Sequence, residues 1–392
     1  MNNKIYIINI FNKNNLKRFI FIYFFIINGA VAQYTLIPDK NFEKKLIELK
    51  LDKRLDGRVL KKNINKITEL DVSASMIKDM TGLQDFVGLT LLSCGNNNLS
   101  QIDLSKNLNL KSLYCENNNL KDFDNPLYGQ HTAEIKYSMQ DSENIQEDIY
   151  LTQLNVSKNL KLIALYCEGN KITTLDLSSN NELNTLSCSH NLLNKITLCN
   201  SKSLKFVICV YNQLKTLDIS KNPDLFRLQI DYNHLESIDL KNNIKLSVLD
   251  CGHNNLKSIN TDKNINLKYF SCENNYINKL DFSNNLKLDS LSCQENKLTE
   301  LNINNNNDLT ILNCSSNELK SLNLNKKEGL TNLHCSKNKL DELDLTNNIY
   351  LYSLNCEGNN FDSVDISNNK KLYFFDFDAN KLKKLNKTSQ KN

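Results

Sequence analysis

The chain contains 392 residues, with 48 lysines and arginines against 44 aspartates and glutamates, 12 cysteines, 10 glycines, 3 prolines and no tryptophan. The formal charge of +4 arises within residues 1–32, which hold basic but no acidic residues, so the rest of the chain is neutral. A neutral body provides no positive field that would attract phosphates, which argues against nucleic-acid binding. No segment is long and apolar enough to cross a bilayer, which argues against a multipass membrane protein.

Residues 1–32 have the pattern of a secretory signal peptide. Four basic residues precede the apolar run at residues 19–27, and Ala30 and Ala32 provide an A-x-A cleavage site. The run is much shorter than the roughly 20 residues of a spanning helix, which argues against a membrane anchor. We therefore expect cleavage after Ala32 and export to the medium, the cell surface or the periplasm.

Residues 33–66 are predicted to form an N-terminal helical cap. A turn at residues 34–39 precedes an amphipathic stretch at residues 41–47, which is typical of a short helix. Asp39 or Asn41 provides a candidate N-cap for this helix.

From residue 67 onward the sequence repeats every 21 or 22 residues. The unit reads L-x-x-L-x-C-x-x-N-x-L-x-x-L-D-L-S-x-N-x-x, and Ile230 and Phe377 occupy the cysteine position in two copies. Three residues after this position the first copy has Ser75, and each of the thirteen copies that follow has an asparagine: Asn97, Asn118, Asn170, Asn191, Asn212, Asn233, Asn254, Asn275, Asn296, Asn317, Asn338, Asn359 and Asn380. A single unit cannot bury its apolar face, so the units have to stack around a shared core.

This pattern resembles the leucine-rich repeat, in particular the nested 21-residue class of secreted proteins from flavobacterium-like bacteria. The resemblance covers about residues 67–386. It implies a leucine-rich-repeat solenoid of the α/β horseshoe class that is rich in β-structure, with about fourteen rungs. Each rung is expected to carry one strand on its L-x-C half and a second on its L-D-L-S half. The resemblance also implies that the asparagines form a ladder between rungs, and that the protein takes part in protein–protein interactions.

An acidic insertion is predicted at residues 124–154. The cysteines on either side of it, Cys115 and Cys167, are 52 residues apart where the repeat requires 21. The repeats then occupy residues 67–123 and 155–386, and residues 387–392 form a tail. Insertions in solenoids lie on one face and often carry function, whereas a solvated acidic loop is the alternative interpretation.

The cysteine and aspartate columns are interpreted as structural, so no metal and no cofactor is expected. The cysteines share their position with other apolar residues and no C-x-x-C pair occurs, which favours a core role over disulfides or metal ligation. Cys199 lies off the column and is the better candidate for a reactive thiol. The aspartates of the L-D-L-S half lack the pattern of a calcium loop and are expected to form a solvated strand face: Asp103, Asp176, Asp218, Asp239, Asp281, Asp344 and Asp365.

No catalytic motif is found. The sequence contains no G-x-S-x-G, H-E-x-x-H or phosphate-binding loop, and its five histidines are scattered over different rungs. Catalysis requires an acid, a base or a nucleophile that converge in a pocket, so we do not expect an enzyme.

A partner-binding patch is predicted where the outward-facing strand residues become large and apolar. Most rungs present small polar residues there, but one region presents Phe206, Ile208, Val210, Tyr211, Arg227, Tyr232, Val248 and Tyr269. Adjacent apolar residues with an arginine match the composition of interface hot spots. A larger surface without a partner, or self-association, is the alternative. Nearby acidic residues, including Asp231, Asp250 and Glu273, favour a basic partner segment.

Tyr114 and Tyr166 flank the insertion and form a second, smaller predicted site. Together these features predict an exported, non-catalytic scaffold whose partner is a protein or peptide. A glycan-binding or structural cell-envelope protein is the alternative.

Overall fold

The computed structural model describes residues 33–118 and 150–377; the predicted signal peptide, most of the predicted insertion and the tail lie outside them. Within these ranges fourteen strands of three residues pair in one parallel sheet. We number them as rungs 1 to 14 in chain order: Glu69–Asp71, Leu91–Ser93, Ser112–Tyr114, Ala164–Tyr166, Thr185–Ser187, Phe206–Ile208, Arg227–Gln229, Val248–Asp250, Tyr269–Ser271, Ser290–Ser292, Ile311–Asn313, Asn332–His334, Ser353–Asn355 and Phe374–Asp376. This arrangement confirms the predicted solenoid of stacked rungs.

The rungs stack without any stagger. Leu186 pairs with Val207, which in turn pairs with Leu228, and each of these central residues points into the core. Side chains before and after the central residue therefore form straight columns along the open face of the sheet. A residue at one position of the repeat lies beside its equivalent 21 residues away.

The second half of most rungs is not a strand. Within the described ranges only two short pairs form there: Thr174–Asp176 with Lys195–Thr197, and Lys279–Asp281 with Glu300–Asn302. The prediction of a second strand in each rung is therefore wrong for most rungs. The column aspartates accept a hydrogen bond from the N–H two residues later both in these strands and in the rungs without them, so this turn does not decide where the second strand forms.

The aspartate column forms these turns. The Oδ1 atom of Asp218 accepts a hydrogen bond of 2.9 Å from the Ser220 N–H, and Asp281 accepts one of the same length from the Ser283 N–H. Hydrogen bonds from the Ser220 hydroxyl and N–H lower the pKa of Asp218. The column aspartates are exposed, as predicted for a solvated face, but only Asp176 and Asp281 lie in strands.

The asparagine ladder holds the turn that follows each strand of the long sheet. The Nδ2 atom of Asn254 donates to the carbonyl of Ile230 one rung earlier at 3.0 Å and to that of Cys251 in its own rung at 3.2 Å. Its Oδ1 atom accepts from the Leu235 N–H at 2.9 Å. Equivalent bonds recur along the described ladder, so each amide satisfies backbone groups that burial would otherwise leave without partners. Asn380 lies outside the described residues.

A second column of buried asparagines lies at the far side of each rung. The Nδ2 atom of Asn180 donates to the carbonyls of Val156 and Asn159 in the preceding rung, at 3.1 and 2.9 Å. The column consists of Asn107, Asn159, Asn180, Asn222, Asn243, Asn264, Asn285, Asn306, Asn348 and Asn369. Ser201 and Lys327 take its two remaining positions, and the pKa of Lys327 is lowered by burial and by the neighbouring Lys326.

The cysteines line the core beside the leucines. All twelve are buried, and Ile230 is buried at the equivalent position. Burial raises the pKa of the Cys314 thiol to about 12 and that of the Cys335 thiol well above its usual range. Burial also raises the pKa of Cys199. A thiol whose pKa is raised is mostly protonated at neutral pH, so Cys199 lacks the environment of a reactive cysteine.

The N-terminal region packs against rung 1 and the turn that follows it. Strands Tyr34–Leu36 and Arg58–Leu60 pair antiparallel, next to the helices Lys40–Glu48 and Lys61–Ile64, and a 3₁₀ turn follows at Leu83–Asp85. Asp39 is the N-cap of the longer helix and accepts from the N–H groups of Asn41 and Phe42. The ring of Phe42 stacks on Phe86, with centroids 6.2 Å apart. In the described ranges, no helix has the length and apolarity needed to span a membrane.

One acidic group lies in this N-terminal region. Carboxylate oxygens of Glu43, Asp52 and Asp56 lie within 4.8 Å of one another. The Oε1 atom of buried Glu43 accepts from the N–H groups of Asp56, Gly57 and Arg58, at 2.8, 2.6 and 3.1 Å. Glu43 therefore closes the loop after the helix, which gives this carboxylate a structural role.

The ladder makes a testable prediction at Asn254. Replacement by alanine leaves the buried carbonyls and the Leu235 N–H without their partner, so Asn254→Ala is expected to lower the free energy of unfolding by about 3 kcal/mol. Urea denaturation followed by circular dichroism measures this change. The adjacent Asn255→Ala is the control, with an expected effect within about 0.5 kcal/mol. Equal effects of the two substitutions would contradict a structural role for the ladder.

Candidate protein-interaction surface

The predicted patch lies on the open face of rungs 6 to 9. Phe206, Arg227, Val248 and Tyr269 are direct neighbours in the sheet register and form one continuous column. Their side chains are partly exposed, with Tyr269 at 38%. The structure thus brings together the residues of this column, although they come from four separate repeats.

An aromatic column runs parallel to this one, two residues after the cysteine position. The rings of Tyr211 and Tyr232 stack with centroids 4.0 Å apart and an interplanar angle of 13°. His190 extends the stack at one end, 4.6 Å from Tyr211, and His253 extends it at the other, 3.9 Å from Tyr232. We call His190, Tyr211, Tyr232 and His253 the aromatic column. Four rings from four consecutive rungs therefore form one continuous, partly exposed stripe.

The backbone at the aromatic column is left-handed. Tyr211 and Tyr232 both have a φ of 53°, and His190 and His253 have φ values of 53° and 50°. This conformation is unfavourable for a bulky residue and costs roughly 1–2 kcal/mol at each position. It persists because the ladder asparagine in the next position fixes the turn. The turn that the ladder imposes thus aligns the rings.

An acidic cluster of Asp231, Asp250 and Glu273 lies beside the aromatic column. Burial, together with the charges of the other cluster members, raises the pKa of Asp231 to about 6 and that of Asp250 to about 7. One oxygen of each aspartate, Oδ1, is buried and has no hydrogen-bond partner in the described residues. Of the side chains whose charge affects the pKa of these two aspartates, only His253 can carry a positive charge.

Gly252 allows the members of this cluster to approach one another. A Cβ atom added there would lie 2.7 Å from the carboxylate carbon of Glu273, so any larger residue would displace this side chain. The Ser271 hydroxyl donates to the same carboxylate. The carboxylates are therefore held near one another by the sheet despite their mutual repulsion.

The second predicted site has the same composition. Tyr114 and Tyr166 are paired in register although the insertion separates them in sequence, and their rings stack 4.7 Å apart. Burial raises the pKa of Glu116, and raises that of Glu168 to about 7. Each of these glutamates has a buried Oε2 atom without a partner in the described residues. Stacked tyrosines next to uncompensated carboxylates thus occur twice on the open face.

The structure also locates the end of the interruption between these tyrosines. Leu151 and Leu154, which the sequence places in the insertion, are buried in the core, and the Lys171 N–H donates to the Leu151 carbonyl. Residues 119–149, which make up most of the predicted insertion, lie outside the described residues.

Sequence reasoning missed three aromatic members of the main surface. His190 and His253 were treated as scattered, yet each lies one repeat from a predicted tyrosine, and this 21-residue spacing was the signal that could have found them. Phe226 is 42% exposed and contacts Phe206 edge to face, with ring centroids 6.2 Å apart. It precedes the strand residue Arg227, a position that the sequence analysis did not inspect.

Comparison with solved structures identifies the fold. The functional domain of InlJ from Listeria monocytogenes, which includes a cysteine ladder, matches with a TM-score of 0.65 and 29% identity over 87% of this chain and 74% of that chain. The internalin InlF from the same species matches with a TM-score of 0.70 and 20% identity over 87% of this chain and 95% of that chain. The fold is a leucine-rich-repeat solenoid.

Other comparisons support the solenoid more weakly. YopM from Yersinia enterocolitica matches with a TM-score of 0.59 and 21% identity over 80% of this chain and 65% of that chain. In sequence, 70 residues are 34% identical to Internalin J of Listeria monocytogenes, which is 18% of this chain and only 8% of that protein. No protein-family model matches the sequence. The solenoid is internalin-like, and the flavobacterium-like nested class stays a prediction.

The acidic cluster predicts a pH-dependent stability. Because its aspartates have a higher pKa in the folded state than in the unfolded state, their buried charges destabilise the fold above about pH 7, and protonation relieves this as the pH falls. The variant Asp231→Asn/Asp250→Asn/Glu273→Gln should therefore melt roughly 2–4 °C higher than the parent near pH 8, with the difference shrinking towards about pH 5. Thermal denaturation at both pH values measures this.

The control removes three exposed acidic residues elsewhere, as Asp262→Asn/Asp308→Asn/Glu328→Gln. We expect its melting temperature to follow that of the parent at both pH values. A cluster variant that melts below the parent near pH 8 would show that the carboxylates stabilise the fold, in contradiction of this account.

Proposed function

We propose that this chain is an exported, non-catalytic scaffold that binds a protein partner through the open face of rungs 5 to 9. The observation that carries this proposal is the aromatic column beside the column of Phe206, Arg227, Val248 and Tyr269. Leucine-rich-repeat proteins generally act as protein-binding scaffolds, and the internalin-like neighbours fit this role. The pattern of residues 1–32 supports export.

Three physical features support docking of a protein at this surface. Tyrosine and arginine are enriched among residues that dominate binding energy, and both occur here in direct adjacency. The backbone of the surface is held in place by the sheet register and the asparagine ladder. Binding of a partner there therefore costs little conformational entropy of this backbone. The exposed rings also lie next to charged groups, as in protein interfaces that have an apolar centre surrounded by a polar rim.

The environment of the reactive side chains at this surface supports a non-catalytic role. The two histidines of the aromatic column are engaged in ring stacking, and burial lowers the pKa of His190. The buried cysteines hold little thiolate at neutral pH. The surface is therefore suited to recognition.

A capture experiment tests the proposal. The chain and the variant Phe206→Ala/Tyr269→Ala are used as baits in envelope and extracellular extracts, with bound proteins identified by mass spectrometry. We expect a partner that the parent captures and the variant loses, since removing two hot-spot side chains commonly costs more than about 2 kcal/mol.

The matched control is Ile244→Ala/Ile265→Ala on the far side of the rungs, where these side chains are 52% and 55% exposed. It removes the same number of exposed apolar residues and should keep the partner. Equal capture by the parent and by Phe206→Ala/Tyr269→Ala would rule out this surface as the docking site.

A further inference from the structure

The acidic cluster gives the proposed docking surface a charge that the described structure does not compensate. Asp231 and Asp250 each keep a buried oxygen without a hydrogen-bond partner in the described residues, and their charges act on Tyr232 and Tyr269 respectively. Burial of charged oxygens without a donor is unfavourable and is tolerated where another group completes the site. Because both side chains are only partly buried, a cationic group of a partner can approach the exposed part of these carboxylates and offset their charge.

The spacing of the cluster favours a large cation over a metal ion. Within residues 33–118 and 150–377, the carboxylate oxygens of Asp231, Asp250 and Glu273 do not form a group in which all three lie within 4.8 Å of one another. Calcium and magnesium need oxygens at about 2.0–2.6 Å from the ion, which requires closer packing of the carboxylates. A guanidinium group spreads five N–H donors over a planar fork and can bridge carboxylates that are further apart.

The aromatic column suits the same group. The hydrogen bond with Tyr211 is the main cause that raises the pKa of Tyr232, and the charges of Asp231 and Glu273 add to it, so these carboxylates act on the aromatic column. The faces of Tyr232 are covered by Tyr211 and His253, so an arginine contacts the exposed ring edges with its methylene stem while its planar fork bonds carboxylates bidentately. One arginine side chain can therefore use both the rings and the carboxylates.

We propose that the surface binds a basic peptide segment of the partner, with one arginine placed between Asp231, Asp250 and Glu273 and against the aromatic column. This inference rests on the proposed function, because it names the chemistry of the partner at the same surface. Phe206, Val248 and Tyr269 then contact apolar residues that flank the arginine. The site discriminates against acidic segments, which would place like charges beside the carboxylates.

Selection from a library of random peptides displayed on phage tests this proposal. The full chain is the bait, and the variant Asp231→Asn/Asp250→Asn/Glu273→Gln is the counter-bait. We expect peptides that bind only the parent to share an arginine flanked by apolar residues. Selected peptides that lack basic residues but still require Phe206 and Tyr269 would overturn the arginine site and leave the proposed function standing. Failure to select any peptide would count against both.

A double-mutant cycle on the best selected peptide then isolates the contact. Replacement of its arginine by citrulline keeps the shape of the side chain and removes the charge. On the parent we expect affinity to fall about tenfold or more, and on the cluster variant the same replacement should change it less than about threefold. Replacement by lysine should cost affinity as well, since the fork is lost. An equal loss on both baits would show that the arginine binds elsewhere and would overturn the proposal.

Discussion

The bond between one asparagine amide and the backbone of two neighbouring rungs is the interaction on which the rest of this structure depends. Each ladder amide satisfies carbonyl and N–H groups that stacking would otherwise bury without partners. It also fixes a left-handed residue just before it, as at Tyr211 and Tyr232, which a bulky side chain would not adopt alone. Core burial, provided by leucines and cysteines, stabilises the stack but does not determine this turn.

The functional surface follows from the same constraint. Since every rung is fixed relative to the next, residues 21 positions apart become neighbours. A different residue type at one repeat position in a few successive rungs therefore produces a local surface feature. Stacked rings and crowded carboxylates arise in this way at Tyr232 and Asp250. The cluster opposes stability, because burial and like charges nearby raise the pKa values of Asp231 and Asp250. Such a feature is typical of a site retained for binding at the expense of stability.

The repeat made much of this fold predictable from the sequence. The period of 21 residues determined which residues share a column, and therefore placed Phe206, Arg227, Val248 and Tyr269 together. Periodicity places the L-D-L-S residues on one wall but does not determine whether neighbouring backbones pair there, so it predicts a second strand in rungs such as that of Asp218, which lack one. The histidines His190 and His253 were missed because they were considered one by one instead of by their position in the repeat. Raised carboxylate pKa values depend on burial and on neighbours across rungs, which a linear sequence does not state.

The most direct test of this account is the nuclear magnetic resonance spectrum of the tyrosine rings in chain labelled only at tyrosine. Face-to-face stacking predicts upfield-shifted ring protons for Tyr211 and Tyr232, assigned by Tyr→Phe substitution. Asn233→Ala removes the amide that donates to the carbonyls of Cys209 and Ile230, at 2.9 and 3.1 Å, and should abolish these shifts. The exposed substitution Asn242→Ala should preserve them. Ring protons that keep their shifts in Asn233→Ala, or that lack them in the parent chain, would contradict the claim that the asparagine ladder builds the surface.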